Sequence, residues 1–165
     1  MKTKKLTLCF LVLGIMLVSL GMVSATHTST ATISPSGWLK KDVTLNLVFN
    51  VSNTGGDPIM YVIIQKPAEF NSLIGNCSAL AGWDVTENPT FCTYYAGSGH
   101  EIEAGKSQTF NVNSTTSIFG TYSWSVKTHD GIQQKINSVQ VQVQTIQNAI
   151  DTASVGSTIN VPAGT

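Results

Sequence analysis

Residues 120–128 read Gly120-Thr121-Tyr122-Ser123-Trp124-Ser125-Val126-Lys127-Thr128. Tyr122, Trp124 and Val126 fall on one side of an extended chain, and Ser123, Ser125 and Lys127 on the other. Successive side chains of a strand point to opposite faces of its sheet, so a period of two marks a strand with one buried face. Asp130-Gly131 follows as a hairpin turn signal. Beyond it Val139, Val141 and Val143 alternate with Gln140, Gln142 and Gln144, which gives a second strand of the same kind.

The pattern repeats upstream. Val43, Leu45, Leu47, Phe49 and Val51 oppose Thr44, Asn46, Asn50 and Ser52. Asn53-Thr54-Gly55-Gly56-Asp57-Pro58 is a turn cluster. Residues 59–64 form a continuous apolar run, expected as a central strand buried on both faces. Residues 79–85 and 90–95 are expected as short strands parted by Asn88-Pro89, and Ala104-Gly105-Lys106 as a turn. Phe110 and Val112 then alternate with Thr109, Asn111 and Asn113. With a short piece at residues 30–34, the count is seven or eight strands, which indicates an all-β antiparallel sandwich. Trp124, Tyr122, Phe49 and Phe110 are its expected core aromatics.

The N-terminus has a different character. Lys2, Lys4 and Lys5 precede an uncharged apolar run over residues 6–23, and Val23-Ser24-Ala25 offers a small-residue cleavage site before Thr26. Residues 1–25 therefore read as a signal peptide, with Cys9 inside the discarded run. The run is also near the length that spans a bilayer, so an uncleaved anchor is the alternative. Cleavage leaves six Lys, no Arg and nine acidic residues. No basic patch remains to neutralise phosphates, which speaks against nucleic acid as a partner. Charged residues make up 11% of the chain and apolar ones 42%, which is too apolar for a disordered chain.

Two cysteines remain, Cys77 and Cys92. An even pair in an exported chain reads as a disulfide, and free thiols or half of a metal site are the alternatives. His27, His100 and His129 are too scattered for a zinc site, and no cofactor is implied. Asn50, Asn76 and Asn113 head Asn-X-Ser/Thr sequons and are candidate glycosylation sites, while Asn88 is excluded by Pro89.

Residues that could carry chemistry are few. Ser98 and His100 lie in Ala96-Gly97-Ser98-Gly99-His100, which lacks the strand-to-helix context of a nucleophile turn. Glu101 and Glu103 have the residue types of a glycosidase pair but read as solvated loop charges. Asp57, Asp84 and Asp130 sit in turn-like places, where aspartates cap their own backbone more often than they bind calcium. Trp38 and Trp83 are candidates for stacking on sugar, with core or edge packing as the alternative.

Two resemblances follow from particular stretches. Val51-Ser52-Asn53-Thr54-Gly55, Gly82-Trp83-Asp84-Val85, residues 102–107 and residues 120–126 together resemble the immunoglobulin-like modules of archaeal and bacterial surface proteins. That resemblance implies a structural or adhesive domain over residues 26–144. Cys77 and Cys92 stand too close together for the inter-sheet bridge of antibody domains. Residues 145–165 resemble the entry of a right-handed parallel β-helix of the pectin-lyase-like kind. Ile146, Ala149, Ile150 and Ala153 would stripe a capping helix, and Val161-Pro162-Ala163-Gly164 would start the first coil. A solenoid needs several stacked repeats, so the expectation is a fragment of a longer protein, with an ordinary C-terminal helix and strand as the alternative.

The resulting expectation is a non-catalytic, extracellular spacer or adhesive module. Its partner would be a surface polysaccharide or another surface protein. An accessory domain of a polysaccharide lyase or hydrolase, or a carbohydrate-binding module using Trp38 or Trp83, is the alternative.

Overall fold

The computed structural model describes residues 27–37, 39–145, 150–151 and 154–158. Residues 1–25, read as a signal peptide, Trp38 and most of the residues read as a β-helix cap lie outside the described residues. Eight strands are present among the described residues: β1 (Ser29–Ser34), β2 (Leu45–Asn53), β3 (Tyr61–Gln65), β4 (Trp83–Glu87), β5 (Phe91–Ala96), β6 (Ser107–Ser114), β7 (Gly120–His129) and β8 (Gln134–Val143). They form a three-stranded sheet in the order β1-β2-β6 and a five-stranded sheet in the order β4-β5-β3-β7-β8. All the strand pairs are antiparallel. The fold is the all-β sandwich that the alternation implies.

The opening stretch becomes β7, and its register with β8 runs from Gly120 opposite Val143 to His129 opposite Gln134. The turn between them is closed by Asp130, whose Oδ1 accepts the backbone N–H groups of Ile132 (2.7 Å) and Gln133 (2.6 Å). Gly131 follows at φ +97°, a value that favours glycine.

Inward-facing residues of both sheets meet around Trp124, which is fully buried. Phe49 of β2 and Phe70 lie against its ring, with centroids 5.4 and 5.1 Å away. A second aromatic group sits beside it: Phe110 of β6 meets Trp83 edge-on at 5.1 Å and Tyr94 at 4.8 Å. All four expected core aromatics are buried. Tyr94 also crosses between the sheets by polar contact, its hydroxyl donating to the carbonyl of Asn111 at 3.1 Å. Burial, with the Glu87 charge added, pushes the Tyr94 phenol well above its ordinary pKa. That keeps it a neutral hydrogen-bond donor.

Three local expectations are corrected. Val43 is 44% exposed rather than inward, because the chain is still turning after Asp42 (φ 59°) and pairing with β6 begins at Leu45. The run 59–64 yields a strand that is central, between β5 and β7, yet buried on one face only. Val62 and Ile64 are fully buried, whereas Tyr61 and Ile63 are partly exposed, because among the described residues the other sheet packs on only one side of this one. The expected strand at 79–85 starts only at Trp83, after a tight turn in which the Trp83 N–H donates to the Leu80 carbonyl at 3.0 Å. Asp84 consequently lies on β4 and not in a turn.

Parts of two outer strands are covered. Leu39 pairs in parallel with Val143 of β8, and Cys77 bridges Val112 of β6. Such cover blunts the tendency of an open strand to pair with another chain.

Candidate functional site

Two arrangements on the sandwich could do more than hold it together. The first is a buried polar relay at the start of β1. Nδ1–H of His27 donates to Oδ2 of Asp130 at 3.1 Å, and Nε2 lies 3.1 Å from the Thr128 hydroxyl. That hydroxyl is 2.6 Å from the hydroxyl of Ser29, which in turn accepts from Nδ2 of Asn137 at 2.9 Å. Carboxylate, imidazole and hydroxyl stand in the order of an activated nucleophile. Thr128 is 0% exposed and the His27 side chain 1%, so no substrate reaches the hydroxyl. The relay is a clasp: it ties β1 of one sheet to β7 and β8 of the other and satisfies every buried polar group in it.

Burial alone would raise the Asp130 pKa. The N–H groups of Gln133 and Ile132, and then His27, outweigh burial and hold it below the ordinary aspartate range. Sequence reading places Asp130 in a turn and leaves His27 unassigned. Nothing in linear spacing joins residues 103 positions apart; an unusual His at the head of the first strand is the only signal.

The second arrangement is on the open face of the five-stranded sheet. Strand registers put Asp84, Tyr95, Tyr61, His129 and Gln134 in one row across β4, β5, β3, β7 and β8. Tyr61 stacks on His129 with centroids 4.4 Å apart and planes 13° apart, and on its other side tilts against Tyr95 at 5.6 Å. The Gly131 N–H donates to Nδ1 of His129 at 2.8 Å, which fixes that ring against the hairpin turn. Partial burial, then the neighbouring Tyr95 and Asp130, raises the Tyr61 phenol. Tyr95 is 45% exposed and Ile136, in the next row, 56%. The row was not legible as a site, because its residues come from five separate strands.

The sequence candidates fall as follows. Cys77 and Cys92 form a disulfide with Cα atoms 5.8 Å apart. Cys77 lies on the loop that pairs with β6, and Cys92 on β5, so the bond links the rim of one sheet to the body of the other. Beside it the Glu87 carboxylate accepts the N–H groups of Gly75 and Cys77. Trp83 is only 7% exposed and packs edge-on against Phe110, so its ring belongs to the core and offers no sugar platform. Ser98 and His100 are exposed in a turn, and no hydrogen bond joins them among the described residues. The His100 ring covers Gly82, where a Cβ would collide with it. Glu101 and Glu103 flank the buried Ile102 in a loop. No group of three His, Cys, Asp or Glu that could hold a metal occurs among the described residues. Asn50 and Asn113 face outward on β2 and β6, and Asn76 lies in the loop whose backbone pairs with Asn113.

No family model matches this chain, and no curated protein matches it. Solved structures do. An uncharacterized protein from Nocardia farcinica, described as having an immunoglobulin-like fold, overlays with a TM-score of 0.58 at 13% identity. The match covers 70% of this chain and 99% of that one. Two others overlay more loosely. BslA, a bacterial hydrophobin, gives 0.49 at 12% identity over 72% of this chain and 94% of its own. A non-cellulosomal cohesin from the archaeon Archaeoglobus fulgidus gives 0.45 at 13% over 75% and 96%. At such identities the likeness speaks to the backbone alone: two antiparallel sheets in an immunoglobulin-like fold.

Proposed function

We propose that this chain is an exported, non-catalytic binding module whose contact surface is the open face of the five-stranded sheet. The observation that carries it is the row Asp84–Tyr95–Tyr61–His129–Gln134, with Ile63 and Ile136 beside it. Tyrosines with an apolar body and a polar tip are favoured where proteins meet. Tyr61 stacks on His129 at 4.4 Å and meets the tilted Tyr95 ring on its other side at 5.6 Å, so both faces of the Tyr61 ring are taken. That geometry suits a protein surface better than a sugar ring, which needs a free aromatic face. The disulfide agrees with an oxidising compartment, and the sealed relay at His27 offers a substrate no access.

The test uses cell envelopes of the producing organism. The purified protein should sediment with envelopes, and protease treatment of the envelopes should abolish this while periodate treatment should not. Tyr61→Ser with Tyr95→Ser should abolish it too while leaving the circular dichroism spectrum unchanged. Binding that survives the double substitution, or that is lost only to periodate, overturns the reading.

A second reading rests on residues 145–165. If they begin a β-helix, the sandwich spaces that domain from the cell surface, and the coils decide whether the whole protein is a lyase, a hydrolase or a scaffold. Extending the gene downstream tests it: stacked repeats support it, and a stop codon or an unrelated domain removes it.

A further inference from the structure

The two outer faces of the sandwich differ in chemistry. On the three-stranded sheet the outward positions are Thr30, Thr32 and Ser34 on β1, Asn46, Val48, Asn50 and Ser52 on β2, and Ser107, Thr109, Asn111 and Asn113 on β6. No charged or aromatic residue is among them. Register puts Thr32, Asn50 and Thr109 side by side in one row, and Asn46 beside Asn113 in another. Two of the three sequon asparagines thus share one uncharged face with mostly small polar neighbours.

The third differs. Both amide hydrogens of Asn76 are engaged, Nδ2 donating to the carbonyls of Ser72 at 2.9 Å and Ile74 at 3.2 Å. Its neighbour Cys77 is held in the disulfide. The Nδ2 groups of Asn50 and Asn113 are in no side-chain hydrogen bond among the described residues, and each residue is partly exposed.

We propose that the three-stranded sheet is a glycan-bearing face, with Asn50 and Asn113 as acceptors and Asn76 excluded in the folded molecule. The inference rests on the export reading above. The donor is a lipid-pyrophosphate-linked oligosaccharide. Asparagine Nδ2 forms a bond to the anomeric carbon, the bond from that carbon to the phosphate oxygen breaks, and the amide proton leaves with the lipid pyrophosphate. A glycan at Nδ2 of Asn76 would take one of its two hydrogens and leave the Ser72 or Ile74 carbonyl without its donor. Glycans on this face would also shield the β1 and β6 rims from other chains and leave the tyrosine row as the surface open to a partner.

The experiment translates the full chain in a cell-free system with eukaryotic microsomes. Protease protection reads translocation. Peptide-N-glycosidase in heavy-oxygen water followed by peptide mass mapping reads each asparagine in the oxidised fraction. The expected result is a protected chain with two glycans; Asn50→Gln and Asn113→Gln each remove one, and Asn76→Gln removes none. A protected chain with Asn50 or Asn113 empty, or with Asn76 occupied as fully as either, overturns the glycan proposal alone. A chain left outside the vesicles overturns the export reading and the glycan proposal with it.

Discussion

Nδ1 of His27 lies 3.1 Å from Oδ2 of Asp130, and this one contact joins the head of the first strand to the turn of the last hairpin. Both side chains are almost fully covered, at 1% and 6% exposure. The Asp130 pKa is lowered in the folded protein because backbone N–H groups and His27 outweigh the effect of burial. A carboxyl whose folded pKa is depressed contributes stability that is present above its unfolded pKa and lost as pH falls through the folded value. Melting temperature should therefore drop on acidification from about pH 5 to about pH 2, and Asp130→Asn should flatten that part of the profile. At neutral pH the same substitution should cost about 1–3 kcal/mol, measured by urea unfolding, through loss of buried acceptors.

The disulfide closes a separation of 15 residues. In the chain-entropy model that is worth about 3 kcal/mol. Cys77→Ser with Cys92→Ser should lower the unfolding free energy by about that amount. It should also open the loop at residues 66–82 to limited proteolysis, because that loop covers β6 through the Cys77–Val112 bridge. Equal stability with and without the bond would mean that the loop holds by packing alone.

Ring packing at the centre should dominate the single substitutions. Phe49 is fully buried against Trp124, so Phe49→Ala should cost about 3–5 kcal/mol. Tyr95, 45% exposed at the outer row, loses only cross-strand contact, and Tyr95→Ala should cost about 0.2–1 kcal/mol. Denaturant melts of the two variants side by side check the difference.

Gly82 combines two constraints: φ is +78°, and the His100 ring occupies the space of a Cβ. Gly82→Ala should destabilise by about 1–3 kcal/mol. Adding His100→Ala should recover the steric part and leave the backbone part. Full recovery in the double variant would show that the backbone conformation costs nothing there.

Alternation made the sandwich legible because each β-strand of a one-sided sheet records its buried face in every second residue. The stretches at 120–128 and 139–143 kept their full pattern in the fold, with Tyr122, Trp124, Val126, Val139, Val141 and Val143 all buried. The run at 59–64 misled because Tyr61 and Ile63 give a one-sided strand an apolar outer face, which looks the same in one dimension as a strand buried on both faces. The disulfide followed from compartment and parity, but its task of linking the two sheets needed the loop pairing with β6. The His27 clasp and the tyrosine row were out of reach. The row is assembled by strand order within one sheet and the clasp by the packing of one sheet on the other, and no local spacing sets either.

Two sheets close over one shared core with Trp124 at its centre. Unfolding in urea, followed by tryptophan fluorescence for the core and by far-ultraviolet circular dichroism for the strands, tests this most directly. One coincident transition is the predicted result. Loss of the tryptophan signal at a denaturant concentration well below that at which the strands melt would contradict it.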